Sequence, residues 1–205
     1  MKIVIIGMGS AAISIAEILS NQYNYSVIGF IGTDQESKKF KGKRIYKDLP
    51  LLGSRKLLKD LKKKDVGGFN VAIGDNYIRE TAFYEASNQG LVPINAISKN
   101  AFIENNVTIK SGVSIASGAI IQHGALISDN TFIGTGCIVD FDTKVMENCY
   151  LGPGSIIGAN ASIGRNTRIN SRAVIEQDIK VGKNQIIKTR EVVDKNKKNL
   201  IRKYQ

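Results

Sequence analysis

The chain has 205 residues, 42 % of them apolar, which is enough for one large or two small domains with buried cores and argues against disorder. Its formal charge of +11 favours anionic partners such as phosphates and nucleotides, yet few aromatics interleave with the lysines at 38–64 and 180–203, so no nucleic-acid groove is expected. The two cysteines, Cys137 and Cys149, argue against a disulfide scaffold and suit a reducing cytoplasm, and no apolar run reaches the roughly 20 residues that span a bilayer, so no membrane insertion is expected.

The chain opens with an apolar strand over 2–6 that Gly7 and Gly9 interrupt, as a strand-to-helix turn requires and a signal peptide does not. Apolar spacing then predicts a helix over 11–20, a strand over 25–31, a helix near 55–63, a strand over 69–73 and a helix over 76–89. This βαβαβα order predicts an α/β domain over 1–92, a small Rossmann-like parallel sheet whose strand-to-helix turns lie on one edge, where open sheets bind ligands. Those turns are Gly7-Met8-Gly9-Ser10-Ala11-Ala12, Gly32-Thr33-Asp34 and Gly74-Asp75-Asn76. The first is a GxGxxA variant of the phosphate-binding fingerprint, with backbone N–H groups at a helix start aimed at an anion. A glycine turn needed only for tight strand–helix packing is the alternative reading. The acidic residue that clasps a ribose at the end of the second strand is displaced to Asp34, which argues against a nicotinamide cofactor.

From Ile97 an aliphatic residue recurs at every sixth position, through Ile103, Ile109, Ile115 and onward without a slip to Ile187, with Val193 as a last, frayed member. Six matches neither the 3.6 of a helix nor the 2 of a strand. It fits a triangular coil in which each hexad is one flat side, 18 residues make a turn, and the aliphatic points inward. Position four after the aliphatic is mostly small, as at Ala119, Cys137 and Cys149, and suits a tight corner. Glycine directly after the aliphatic, as at Gly134, Gly152 and Gly158, marks unusual torsions or close packing. The expectation is a left-handed parallel β-helix over 93–193, closed by a basic C-terminal tail over 194–205 with Leu200 and Ile201 as a cap.

A glycine-turn α/β domain followed directly by hexapeptide coils resembles the sialic-acid and bacillosamine sugar acetyltransferase family of the hexapeptide-repeat acyltransferases. The segments that carry the likeness are IVIIGMGSAA, VIGFIGTD, VAIGDNYIRE and the repeats from Ile97. The resemblance implies acetyl transfer from acetyl-coenzyme A to an amino group, or less readily a hydroxyl, of a nucleotide-activated amino sugar in surface glycan synthesis. It also implies a homotrimer with the cofactor lying between neighbouring coils. By register, the implied nucleotide-sugar contacts are Gly9, Ser10, Ala11, Gly32, Thr33 and Gly74, and the implied coenzyme A contacts are Tyr150, Ser171 and Thr189.

The family's general base is a histidine between acidic residues, and here Val139-Asp140-Phe141-Asp142 puts Phe141 in that place. The sole histidine, His123, precedes Phe141 by 18 residues, so the two should stack one coil apart, about 4.8 Å. A base displaced by one coil, with Asp140 or Asp142 orienting or replacing it, and the backbone N–H of Ala159 as oxyanion donor, is one expectation. The other is a trimeric binding or scaffold relative that keeps the ligand pocket and has lost catalysis. For each residue, coil or turn geometry alone is the bland alternative.

Overall fold

The computed structural model describes residues 1–22 and 24–200, and it divides into two compact units, Met1–Ala96 and the chain from Ile97 onward. The first unit runs β1 (Lys2–Ile6), α1 (Ser10–Ser20), β2 (Ser26–Gly32), α2 (Asp34–Phe40), β3 (Arg44–Tyr46), β4 (Leu49–Ser54), α3 (Leu58–Leu61), β5 (Val66–Val71), α4 (Asn76–Asn88) and β6 (Val92–Pro93). The sheet order is β3-β4-β2-β1-β5-β6. Every pairing is parallel except β3 with β4. Central β1 is buried from Ile3 to Ile6, the continuous apolar run of a strand covered on both faces. Helix α1 buries Ala12, Ile15, Ala16 and Leu19, one stripe at helical spacing.

Several stretches differ from the sequence expectation, among them β5, which runs Val66–Val71 and not 69–73. Residues 33–54, where no element is expected, form α2 and the β3–β4 hairpin. Helix α2 buries no residue, so it carries no apolar period; a capping box between Thr33 and Glu36 forms it instead. The expected helix over 55–63 is α3 with a 3-10 turn on each side, ended by Asp65 in the left-handed region. Strand β6 pairs with β5, so the first sheet reaches Pro93.

In the second unit each aliphatic of the six-residue series is the second residue of a two-residue strand, and strands 18 residues apart pair in parallel, as Ile115 with Ile133 and Ile121 with Val139. The strands form three sheets, the flat sides of a left-handed parallel β-helix. From Ile115 to Val193 the inward residues make one continuous buried column. Each such side chain contributes about 1.5–3 kcal/mol relative to exposure. Val193 is paired and 3 % exposed, so the series ends in a full member and not a frayed one.

The corners correct part of the torsional reading. The glycines directly after the aliphatics serve close packing: a Cβ at Gly134 would sit 2.7 Å from Pro153 N, and one at Gly158 2.7 Å from Gln177 N. The left-handed residue stands two places further on and recurs every six positions, Asn130, Gly136, Asp142, Asn148 and Gly154 among them. Asparagine, aspartate and glycine tolerate that conformation best. At the C-terminal end Gly182 N–H donates to Lys197 O (2.7 Å) and Lys180 N–H to Asn196 Oδ1 (2.8 Å), so backbone and asparagine groups close the coil. Leu200, expected as an apolar cap, is exposed, and Ile201 lies outside the described residues. Among the described residues no helix is long and apolar enough to cross a membrane.

Candidate functional sites on the sheet edge and the coil corner

The three strand-to-helix turns of the first unit meet in one pocket, lined by Gly9, Gly32, Thr33, Glu36, Arg55 and Gly74 with apolar neighbours such as Met8 and Ile78. Of the six residues implied as nucleotide-sugar contacts, the pocket gathers Gly9, Gly32, Thr33 and Gly74. Ser10 and Ala11 begin α1 and do not line it.

The glycines divide by what they are needed for. At Gly7, φ is 127° and a Cβ would lie 2.5 Å from Ala72 O, so strand geometry alone demands glycine. At Gly9 and Gly74 a Cβ would meet nothing within 4 Å, so packing does not explain them, and the missing side chains leave room for a ligand.

The three helix starts also differ. Thr33 and Glu36 cap α2, and Asp75 caps α4 by accepting the N–H groups of Tyr77 and Ile78 at 2.9 Å each. Helix α1 begins at Gly9 with no side-chain cap and no acidic residue in its first turn. It is therefore the one of the three whose partial positive end is left for an anion.

Sequence reasoning missed one residue that supports the third turn and one that lines the pocket. Arg79 is 1 % exposed and donates from Nη1 to Ile73 O (3.1 Å) and from Nη2 to Asn76 Oδ1 (3.0 Å), which ties down the third turn. The signal was present: with Asn76, Ala82 and Ala86 it completes the buried face of α4. Arg55 lines the pocket and pairs with Glu85 at 3.1 Å.

On the coil, His123, Phe141 and Ala159 stack in one corner column. Asp142 N–H donates to His123 O (3.0 Å), and Asn160 N–H to Phe141 O (2.9 Å), one coil per step. His123 is exposed, and Phe141 stands 46 % exposed between it and Ala159. Asp142 leans over the preceding coil, where a Cβ on Gly124 would collide with its Oδ1. Asp140 turns back onto its own turn and accepts Phe141 N–H at 2.8 Å. Glu104, which sequence reasoning missed, accepts His123 N–H at 2.8 Å. At Ala159 the preceding residue is Gly158, which offers no such carboxylate. Asp140, which stands to Ala159 as Glu104 does to His123, is turned onto Phe141 N–H, so the Ala159 amide has no intramolecular acceptor among the described residues, the condition an oxyanion donor needs.

Tyr150 lies in an outward ladder on another side of the coil. Its ring stacks on Phe132 at 5.2 Å and 6°, and the Arg168 guanidinium sits over it at 4.0 Å. With both ring faces engaged, it offers a ligand its edge and hydroxyl. Ser171 and Thr189 lie one coil apart in a single corner column, Arg190 N–H donating to Ser171 O at 3.1 Å. Neither thiol is a nucleophile candidate: both cysteines are buried, and burial pushes Cys137 up to about 12.

Family models match both units: the PglD N-terminal domain over residues 2–86 and the GMPPB C-terminal domain over residues 89–199, more than half of the chain. Curated protein sequences give no significant match. Among solved structures, perosamine N-acetyltransferase from Caulobacter crescentus, in a histidine-to-asparagine variant holding CoA and GDP-perosamine, is 27 % identical with a TM-score of 0.89, over 97 % of this chain and 91 % of that one. The acetyltransferase domain of PglB from Neisseria gonorrhoeae FA1090, with acetyl coenzyme A, shares 20 % identity and the same fold, with a TM-score of 0.71 over 96 % of this chain and 92 % of that one. WeeI from Acinetobacter baumannii AYE shares the fold at 15 % identity and a TM-score of 0.62, over 95 % of each chain. A coil of the GMPPB C-terminal type, joined to a PglD-type sheet, places the chain in the hexapeptide-repeat family of sugar acetyltransferases.

Proposed function

We propose that the protein moves an acetyl group from acetyl-coenzyme A to the amino group of a nucleotide-activated sugar for surface glycan synthesis, as a cytoplasmic homotrimer. The observation that carries this is the near full-length likeness to an enzyme holding CoA and GDP-perosamine, combined with an uncapped α1 start facing a pocket that glycines keep open. Gly9, Gly32, Thr33 and Gly74 line the nucleotide-sugar site, with Ser10 and Ala11 supplying helix-start amides. Tyr150, Ser171 and Thr189 contact coenzyme A from the coil.

In the reaction the sugar nitrogen attacks the thioester carbon, and the carbonyl electrons move to the oxygen, which the Ala159 N–H stabilises. Collapse of this adduct re-forms the carbonyl, breaks the C–S bond and releases the thiolate. His123 takes the proton from the new ammonium and delivers it to sulfur. Asp142, whose carboxylate reaches over Gly124 beside His123, orients or assists it, and Asp140 does so once it leaves Phe141 N–H. The trimer reading is supported by one side of the coil, whose outward residues Phe102, Ile120, Ile138, Ile156, Val174 and Val192 are all apolar, Phe102 and Val192 being 60 % and 58 % exposed.

Phe141 favours a second reading, in which ligand binding persists without turnover. Release of free thiol from acetyl-coenzyme A over a panel of nucleotide amino sugars separates the two. The wild type should turn over, and His123→Ala should lower kcat by about 10²–10⁴-fold. Activity unchanged in His123→Ala would place the base elsewhere, and activity found only in Phe141→His would establish the second reading.

A further inference from the structure

We infer that Glu36 is the carboxylate that accepts hydrogen bonds from the nucleoside of the bound substrate; this rests on the nucleotide-sugar reading and adds a specificity residue to it. In sheets of this type an acidic residue at the end of the second strand holds the ribose. Here β2 ends in Gly32, and Asp34, the first acidic residue after it, is engaged elsewhere: it pairs with Lys56 at 2.7 Å, and hydrogen bonds from Lys56 and Ser54 hold its carboxyl below the usual range. Asp34 does not line the pocket, whereas Glu36 does.

Glu36 reaches it by folding back from the first turn of α2. Its Oε2 accepts Thr33 N–H at 2.7 Å, which fixes the carboxylate beside Gly32. A Cβ on Gly32 would stand 2.8 Å from that oxygen and 3.2 Å from Met8 Sδ. The bare strand end and the long acidic side chain are therefore one arrangement: a side chain at position 32 and the Glu36 carboxylate compete for the same space. Oε2 keeps a second lone pair, and Oε1 has no hydrogen-bond partner among the described residues. A carboxylate so placed accepts O–H groups of a ribose or N–H groups of a base edge.

The test is titration calorimetry on the full chain with GDP and UDP, each against its 2′-deoxy and 3′-deoxy forms, and with IDP, which lacks the guanine amino group. Glu36→Gln retains an oxygen for the capping box, and its melting temperature reports that the fold persists. It should weaken binding of the preferred nucleotide about ten- to hundredfold and abolish one preference. Loss of ribose over deoxyribose discrimination assigns the hydroxyls, and loss of GDP over IDP discrimination assigns the base. In a Glu36→Ala background, Gly32→Asp should restore binding from the strand end. A folded Glu36→Gln with unchanged affinity and unchanged preferences overturns the inference alone. A wild type that binds none of these nucleotides overturns the nucleotide-sugar reading and the inference with it.

Discussion

The two units hold their functional groups by different means. In the coil, register alone determines a residue's surroundings: its neighbours are 18 residues away on either side, and Ile121, Val139 and Ile157 repeat one environment. In the sheet unit the pocket depends on single, unrepeated ties: the Thr33–Glu36 box under α2, the Asp75 cap of α4 and the Arg79 guanidinium on the third turn. A corner column is thus tuned by exchanging one residue at a fixed place in a series, whereas the pocket changes shape when one polar tie is lost.

The largest effect should come from breaking the series at its centre. Ile157→Asp puts a carboxylate in a fully buried column with nothing to pair it, which costs several kcal/mol and should leave the coil unfolded by circular dichroism. Ile157→Ala should cost about 2–5 kcal/mol in urea denaturation. On the other side of the comparison, Arg79→Ala removes the guanidinium that donates to Asn76 Oδ1 and the Ile73 carbonyl and should cost on the order of 3 kcal/mol. Nucleotide affinity should fall with it while the coil keeps its cofactor affinity; equal loss at both sites would show that the units are not separable in this way.

That contrast also explains what was legible in the sequence. A strict six-residue beat specifies which residues face inward, so the coil, its register and the stacking of His123 under Phe141 could be read directly. The left-handed corner could not: it is set by backbone geometry, and Asn148, Asp142 and Arg172 share it without sharing chemistry. In the sheet unit α1 showed an apolar stripe, while α2 has no buried face and is held by two reciprocal hydrogen bonds. Arg79 was concealed because a charged residue on a helix reads as solvent-facing until its i−3 and i+3 neighbours prove buried. The free Ala159 amide depends on where Asp140 turns its carboxylate, onto Phe141 N–H and not across to the next coil as Glu104 does, and that choice leaves no trace in the register.

A pH effect sharpens the comparison further. Burial raises the Cys137 thiol from its ordinary value to about 12, so between roughly 9 and 12 the unfolded chain loses this proton and the folded coil keeps it. The contribution is fully present below pH 9 and declines as pH rises towards 12. Cys137→Ala should flatten the alkaline fall in denaturation midpoint, and native Cys137 should resist alkylation until the coil unfolds.

The smallest effects test whether the corners are as independent as the register implies. Asn148 combines a left-handed backbone, φ 56°, with a buried ladder: it accepts from Asn130 Nδ2 at 2.8 Å and donates to Asn166 Oδ1. Asn148→Gly keeps the torsion and loses the ladder, whereas Asn148→Ala loses both, so the difference between them should be about 1–2 kcal/mol, the cost of that torsion. Arg172 has the same torsion, φ 59°, with an exposed side chain and no ladder. Arg172→Asn should therefore stabilise the coil by about 0.5–1 kcal/mol, because asparagine adopts the left-handed region more readily. If it destabilises instead, the Arg172 stem lying along Gly154, where a Cβ would come within 3.5 Å of it, contributes more than torsion does, and corners of one series are not interchangeable.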